Sequence, residues 1–173
     1  RYDIEPAHYL LSFGAEFLGG GWGGAWSQAA FAEARSPAKN HVVCRYALVS
    51  PVRGQAGANC DDWFTATPGS EAQVALAVAK LVAAKTHYTG PALALVNAGD
   101  PAVAAQASGL TEDDLNAMAE LFAANPAIAL PGGVAGSAAN ATELAAAVML
   151  LNVVSKHGLM SAGGYTGAVH GHD

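Results

Sequence analysis

Thr67-Pro68-Gly69-Ser70-Glu71 sets a hydroxyl, two small residues and a carboxylate at the head of an apolar stretch that reaches Lys85. Thr67 is expected to N-cap a helix, with Pro68 at its first position, where a missing N–H costs nothing. Gly69 and Ser70 then leave backbone N–H groups open beside Glu71, and a helix start of this kind holds an anionic or polar ligand. A capped core helix with no ligand uses the same residues. The run Gly14-Ala15-Glu16-Phe17-Leu18-Gly19-Gly20-Gly21 is a second candidate, since glycines behind a strand admit a ligand close to the backbone. It contains no GxGxxG, so the dinucleotide fingerprint of NAD enzymes is absent. Ser50-Pro51-Val52-Arg53 is a third candidate, and Arg53 brings a cation to it.

Metal chemistry has little support. His170, His172 and Asp173 are ligand types crowded together, but a solvated tail has the same composition and nothing fixes their geometry. Cys44 and Cys60 form no CxxC pair, so they cannot alone complete an iron–sulfur or zinc ligand set. A disulfide between them cannot be assigned from sequence. Two buried free thiols is the favoured reading.

These residues need elements to hold them. Ala7–Phe13 reads as a buried strand ended by Gly14. Trp22–Arg35 reads as a helix with Trp26, Ala29, Ala30 and Phe31 inward. His41–Ser50 is rich in β-formers and reads as a second strand. A third short strand, Trp63–Ala66, precedes the Thr67 helix. This succession predicts a parallel sheet with crossover helices. Ligands of such sheets lie at the carboxyl ends of the strands, here Gly14–Leu18, Ser50–Arg53 and Thr67–Glu71. Residues 86–109 are punctuated by Gly and Pro, and Ala92–Val96 reads equally as strand or helix. Thr111 and Asp114 form a capping-box pattern, with Leu110 placed to staple to Leu115. That helix stops at Asn125-Pro126. Ala127–Leu130 reads as a buried strand. Asn140, with Glu143 three residues on, is expected to cap a last helix. This helix is apolar on most sides, hence expected to be buried, and ends near Lys156-His157-Gly158.

The 173 residues suffice for one substantial core. Hydrophobic residues make up 52% and charged ones 13%, with mean hydropathy +0.25, which excludes disorder. So few charges suggest a surface largely covered by further chain or by partners. Both ends read as cuts through a larger polypeptide, and the segment alone is expected not to fold stably. The net charge of −6 and the absence of Lys/Arg clusters argue against nucleic-acid binding. No apolar run is long enough to span a bilayer.

Four pieces, in order, carry a resemblance. They are His8 to Leu18; Val49-Ser50-Pro51-Val52-Arg53 with Ala58-Asn59-Cys60-Asp61-Asp62-Trp63; Thr67-Pro68-Gly69-Ser70-Glu71; and Ala127 to Gly133 with Asn152 in Leu150-Leu151-Asn152-Val153-Val154. Together they resemble the large subunit of molybdopterin oxidoreductases, the dimethyl sulfoxide reductase superfamily, over nearly the whole chain. The second piece is similar to the family's A-D-x-W element and the third to its R-P-G-T-[DE]. The resemblance implies an α/β fold: a Rossmann-like parallel sheet with crossover helices, within a larger multidomain subunit. It makes residues 1–173 a fragment of that domain, with a first half to about 85 and a second part over about 86–173.

In active members, the family pattern has an acid where this chain has Ser50, an Arg where it has Thr67, and Asn-Pro-x-Glu where it has Ala15-Glu16-Phe17. Glu71 is retained. The Phe-Gly-Ala-x-Phe-Leu wording is closer to the molybdopterin-like subunit of alternative complex III and the related quinone reductase complex. The resemblance therefore implies a structural module of a membrane-associated quinol-oxidising electron-transfer complex. It implies no molybdenum cofactor in this segment and no catalytic residue, and it leaves open whether the chain serves an enzyme. Iron–sulfur and quinone-binding membrane subunits would be its partners, on the periplasmic side, with the clusters held elsewhere in the complex. The alternative is part of an active catalytic subunit. There Gly14, Ser50, Arg53, Gly69, Ser70 and Glu71 would line the guanosine end of a molybdopterin guanine dinucleotide. A third reading is an unrelated doubly wound nucleotide-binding domain.

Overall fold

The computed structural model describes residues 2–19, 24–39, 42–133, 139–156 and 159. Its elements in chain order are β1 (Tyr9–Phe13), α1 (Gly24–Ala34), β2 (Arg45–Val49) and a 3-10 turn at Gly57–Asn59. Then come β3 (Asp62–Phe64), α2 (Glu71–Thr86), α3 (Leu93–Val96), α4 (Pro101–Ser108), α5 (Glu112–Ala124), β4 (Ala127–Pro131) and α6 (Ala141–Val154). The four strands form one sheet in the order β3-β2-β1-β4, every neighbouring pair parallel. The expected α/β fold with a parallel, Rossmann-like sheet is therefore present.

Alternation along each strand divides the core. Leu11, Phe13, Ala47, Val49 and Ala129 join the helical side with α2, α5 and α6. Leu10, Tyr46, Leu48, Ile128 and Leu130 join the other side with Phe17 and Phe31. Both sides are dry, which is why β1 and β4 read as continuous apolar runs. Each such Leu or Val contributes about 1.5–3 kcal/mol when fully buried. On the second side Phe17, Phe31 and Tyr46 pack edge to face, with centroids 5.1–5.6 Å apart. Among the described residues the Tyr9 hydroxyl is buried without a hydrogen-bond partner, and burial pushes the Tyr9 and Tyr46 phenols upward.

α2 is the axis of the helical layer, with ten of its 16 residues buried, Ala alternating with Val. Alanine lets α5 and α6 approach it closely. Gly99 also lies against its backbone, where a Cβ would meet the Leu76 carbonyl oxygen at 2.6 Å, and the Lys80 ammonium donates to the Gly99 carbonyl at 2.8 Å. α5 carries the expected capping box: Asp114 N–H donates to Thr111 Oγ1 at 3.1 Å, and Thr111 N–H donates to the Asp114 carboxylate at 2.9 Å. Leu110 and Leu115 pack into the same core.

Several expectations are corrected. α2 begins at Glu71, not after Thr67, because Thr67–Ser70 closes as a turn in which Ser70 N–H donates to the Thr67 carbonyl. Gly69 supplies the positive φ of 87° that such a turn needs after Pro68. Trp26 and Ala29 face outward rather than inward, and α1 buries Ser27, Ala30, Phe31 and Ala34. Cys44 precedes β2 rather than lying within it, and β3 ends at Phe64. Ala92–Val96 resolves as the short helix α3. The unforeseen α4 is capped by Asp100, whose carboxylate accepts from Ala102 and Val103 N–H, with Pro101 at the helix start. α6 is buried on one side only: Ala145, Ala146, Met149 and Val153 are exposed. His157 and Gly158, expected to stop it, lie outside the described residues, as do Trp22, His170, His172 and Asp173.

The amino ends of β2 and β3 are tied by two bidentate pairs, Arg35–Asp61 and Arg45–Asp62. Burial pushes the Asp61 carboxyl up. The Arg35 hydrogen bond, the Tyr46 N–H and the arginine charges outweigh that and hold it below its ordinary value. A carboxyl depressed in the folded state stabilises the fold above its unfolded value and loses that contribution as pH falls through the folded one. Stability should therefore drop as pH falls below about 4, and the drop should be shallower in Asp61→Asn. Denaturant midpoints measured across that range check this. Separately, Thr111→Ala should cost about 1 kcal/mol in the same assay.

Candidate functional site

The three loops singled out by sequence lie at the carboxyl edge of the sheet. Gly14 follows β1 directly, with a φ of 77°. The turn beyond it is fixed by Ser12, whose Oγ accepts from Ala15 N–H at 2.9 Å. Gly14 also bridges to Pro131 at the end of β4. Gly133, at φ 63°, lies so close that a Cβ there would collide with the Gly14 carbonyl oxygen. β1 and β4 flank the point where the strand order reverses, the position at which open α/β sheets bind ligands. Here backbone from the two loops is in contact across it.

Ser50 follows β2 and is buried. Its N–H donates to the Phe64 carbonyl at 3.2 Å, its own carbonyl accepts from the Trp63 indole at 3.0 Å, and its Oγ accepts from Val52 N–H at 3.3 Å. Arg53 is exposed but engaged: its Nε donates to the Gly57 carbonyl at 3.0 Å, and its guanidinium lies 5.7 Å from the Trp63 ring centroid. Glu16 reaches from the first loop into the second. Its carboxylate accepts from Ala56 N–H at 3.0 Å and packs where a Cβ on Gly54 would fall.

The third loop is tied from two sides. Thr67 donates through both N–H and Oγ1 to the Ser108 carbonyl, at 2.9 and 3.1 Å. Ser70 donates through Oγ to the Thr67 carbonyl at 2.7 Å and does not cap α2. Asn140, in the N-cap position of α6, makes no cap bond either; its amide donates to the Gly69 carbonyl at 2.7 Å. Glu71 opens α2 at 2% exposure. Thus Gly14, Ser50, Arg53, Gly69, Ser70 and Glu71 share one edge of the sheet. Arg53 is the one Lys or Arg among the described residues of these loops, residues 14–19, 50–57, 65–71 and 131–133.

Sequence reasoning missed three positioning residues. Trp63 stands in the sequence as a strand residue and a motif letter, yet a half-buried indole N–H needs a partner. Glu16 is the polar outlier in its loop and staples two loops together. Asn152 is a buried polar residue in an otherwise apolar helix. Among the described residues neither thiol is grouped with two further metal-ligand side chains. Both are free, Cys44 buried and Cys60 partly exposed rather than buried as expected. Among the described residues no three His, Cys, Asp or Glu side chains are grouped to hold a metal ion. No helix among them is long and apolar enough to cross a membrane.

Comparison with known proteins places this geometry. No family model matches the chain. The chain is similar to the menaquinone reductase molybdopterin-binding-like subunit of Nitratidesulfovibrio vulgaris (strain Hildenborough), 27% identical over 170 residues. The match covers 93% of this chain and 24% of that subunit, so the chain spans about a quarter of the relative's length. Among solved structures, acetylene hydratase from Pelobacter acetylenicus shares the fold. The TM-score is 0.64 at 16% identity, over 87% of this chain and 22% of that one. The resemblance to molybdopterin oxidoreductase large subunits read from the four motifs holds in these comparisons.

Burial pushes the Cys44 thiol up to about 12, and it pushes Cys60 up as well. Alkylation of the native protein at pH 8 should therefore label Cys60 first and leave Cys44 unmodified until unfolding, as peptide mass mapping will show. Gly133→Ala must displace the Gly14 carbonyl and hold a strained φ; it should cost roughly 2–4 kcal/mol in denaturant unfolding.

Proposed function

We propose that this chain is a structural, molybdopterin-oxidoreductase-like module of a membrane-associated, quinone-linked electron-transfer complex, without a molybdenum cofactor of its own; the relative is named as a quinone reductase, so quinone reduction replaces the quinol oxidation expected from the motifs. The observation that carries the reading is the similarity, over nearly the whole chain, to a menaquinone reductase subunit described as molybdopterin-binding-like. Further subunits with iron–sulfur and quinone-binding roles, and a periplasmic position, belong to the same proposal. The exposed apolar residues Met149 and Val153 of α6, in a chain with 13% charged residues, fit a buried place in an assembly.

The chemistry of the strand-end edge supports the absence of a dinucleotide. A pyrophosphate needs cationic or N–H partners. The loops offer Arg53, already donating to Gly57, while Ser50 and Thr67 are neutral and turned to Trp63, Val52 and Ser108. Contact between Gly133 and Gly14 narrows the crevice at the reversal of strand order. Phe17, behind the first loop, is fully buried against Phe31 and Tyr46. One observation favours the alternative, a catalytic subunit holding the guanosine end of a molybdopterin guanine dinucleotide. Glu71 is a buried carboxylate at the start of α2, a good acceptor for base N–H groups.

Molybdenum and extractable pterin in the purified complex decide between the two. The scaffold reading expects neither in stoichiometric amount with this subunit. It also expects Glu71→Ala to leave electron transfer intact and to cost up to about 2 kcal/mol, as a buried helix-start acid does. Dinucleotide density against Gly14, Ser50 and Glu71 would overturn it in favour of the catalytic reading.

A further inference from the structure

Among the described residues β4 is an edge strand, and at Ala129 its outward backbone groups are taken by a side chain of this chain. Tyr9 N–H donates to the Pro126 carbonyl, and Tyr9 pairs with Ala127 in a parallel ladder. In such a ladder successive residues turn their backbone groups to opposite sides. Ile128 and Leu130 therefore face β1, while Ala127, Ala129 and Pro131 face away. Ala129 is nevertheless satisfied. Its N–H donates to Asn152 Oδ1 at 2.8 Å, and its carbonyl accepts from Asn152 Nδ2 at 2.9 Å. The same Nδ2 donates to the Val148 carbonyl at 3.0 Å, which fixes the amide against its own helix. Asn152 is 5% exposed and lies on a helix whose other buried residues are Leu144, Ala147, Val148, Leu151 and Val154. Two positions along the same row, Pro131 has no N–H to offer.

We propose that Asn152 is an edge clasp: its carboxamide occupies the hydrogen-bonding slot of a fifth strand and prevents β4 from pairing with a second copy of this chain. A primary amide is uncharged and carries a donor and an acceptor side by side on one plane, so it reproduces what a neighbouring strand offers. Asp supplies no donor, and Leu supplies neither. An unclasped parallel edge is a template for association between chains, and proteins commonly block it with covering elements or with Pro. Here the helix that follows β4 does the covering, and Pro131 removes the next donor in the row. The clasp concerns the fold alone and stands whether or not a cofactor binds.

Hydrogen exchange and light scattering on the full-length protein test this. In the unmutated protein the Ala129 amide should exchange at least about tenfold more slowly than an open-edge amide, because its N–H is bonded and buried. Asn152→Ala should remove that protection at Ala129, spare Leu11 and Ala47 in the middle of the sheet, and produce a dimer or larger species whose fraction rises with concentration. Asn152→Asp, which keeps the acceptor and loses the donor, should show intermediate protection. An Ala129 amide exchanging at the open-edge rate in the unmutated protein overturns the proposal without recourse to any variant. So does an Asn152→Ala protein that stays monomeric at all concentrations with Ala129 still protected.

Discussion

β1 is bonded on both flanks, to β2 and to β4, and every side chain it carries is buried. That single constraint organises the molecule. A parallel strand in this position must have cover on both faces, and parallel neighbours require crossovers long enough to supply it. The crossover from β1 to β2 supplies α1 with Phe17 and Phe31, which pack against Tyr46 of β2 on one face. The crossover from β3 to β4 carries the chain back over β1 and deposits α2 to α5 on the other. The reversal of strand order at β1 then brings the loops after β1 and β4 together at the carboxyl edge. The site region follows from the burial of one strand.

The apolar and β-branched runs were legible because tertiary context agreed with them. β1, β2 and β4 each announced themselves, and the α5 capping box was readable from Thr111 and Asp114 alone, since a cap is a local interaction. What misled was local chemistry taken by tertiary partners. Thr67 has the side chain and the following proline of an N-cap, yet both its donors go to Ser108, which α4 delivers from 41 positions away. Asn140 is likewise drawn off to Gly69. Trp26 read as core because of its size, but helix α1 rotates Phe31 and Ala30 inward and leaves the indole half out. α4 itself was hidden by Gly and Pro, although Asp100-Pro101 is an N-cap followed by a helix-starting proline.

α6 shows how far composition can be trusted. Its sequence is apolar nearly all round, which in a small domain argues for complete burial. Instead it lies over α2 and β4 with one face, and its apolar outer face is open. Leu144, Val148 and Leu151 already fill the inner one.

Glu71 is the residue on which the functional readings turn, and its position explains why sequence alone leaves both standing. The first turn of a helix favours a negative charge, so a carboxylate there is useful to the fold with no ligand present. The same burial and the same open acceptor positions suit a base bearing N–H groups. What separates a scaffold from a dinucleotide site is therefore not this acid but the charge balance around it. A pyrophosphate would bring negative charge into an edge whose described loops hold Glu16, Glu71 and one arginine. That arginine stacks on Trp63 and donates to the Gly57 carbonyl, so its orientation is set by its own loop. Binding such a ligand there requires either that Arg53 leave those partners or that cations arrive from elsewhere in the assembly. The scaffold reading requires neither.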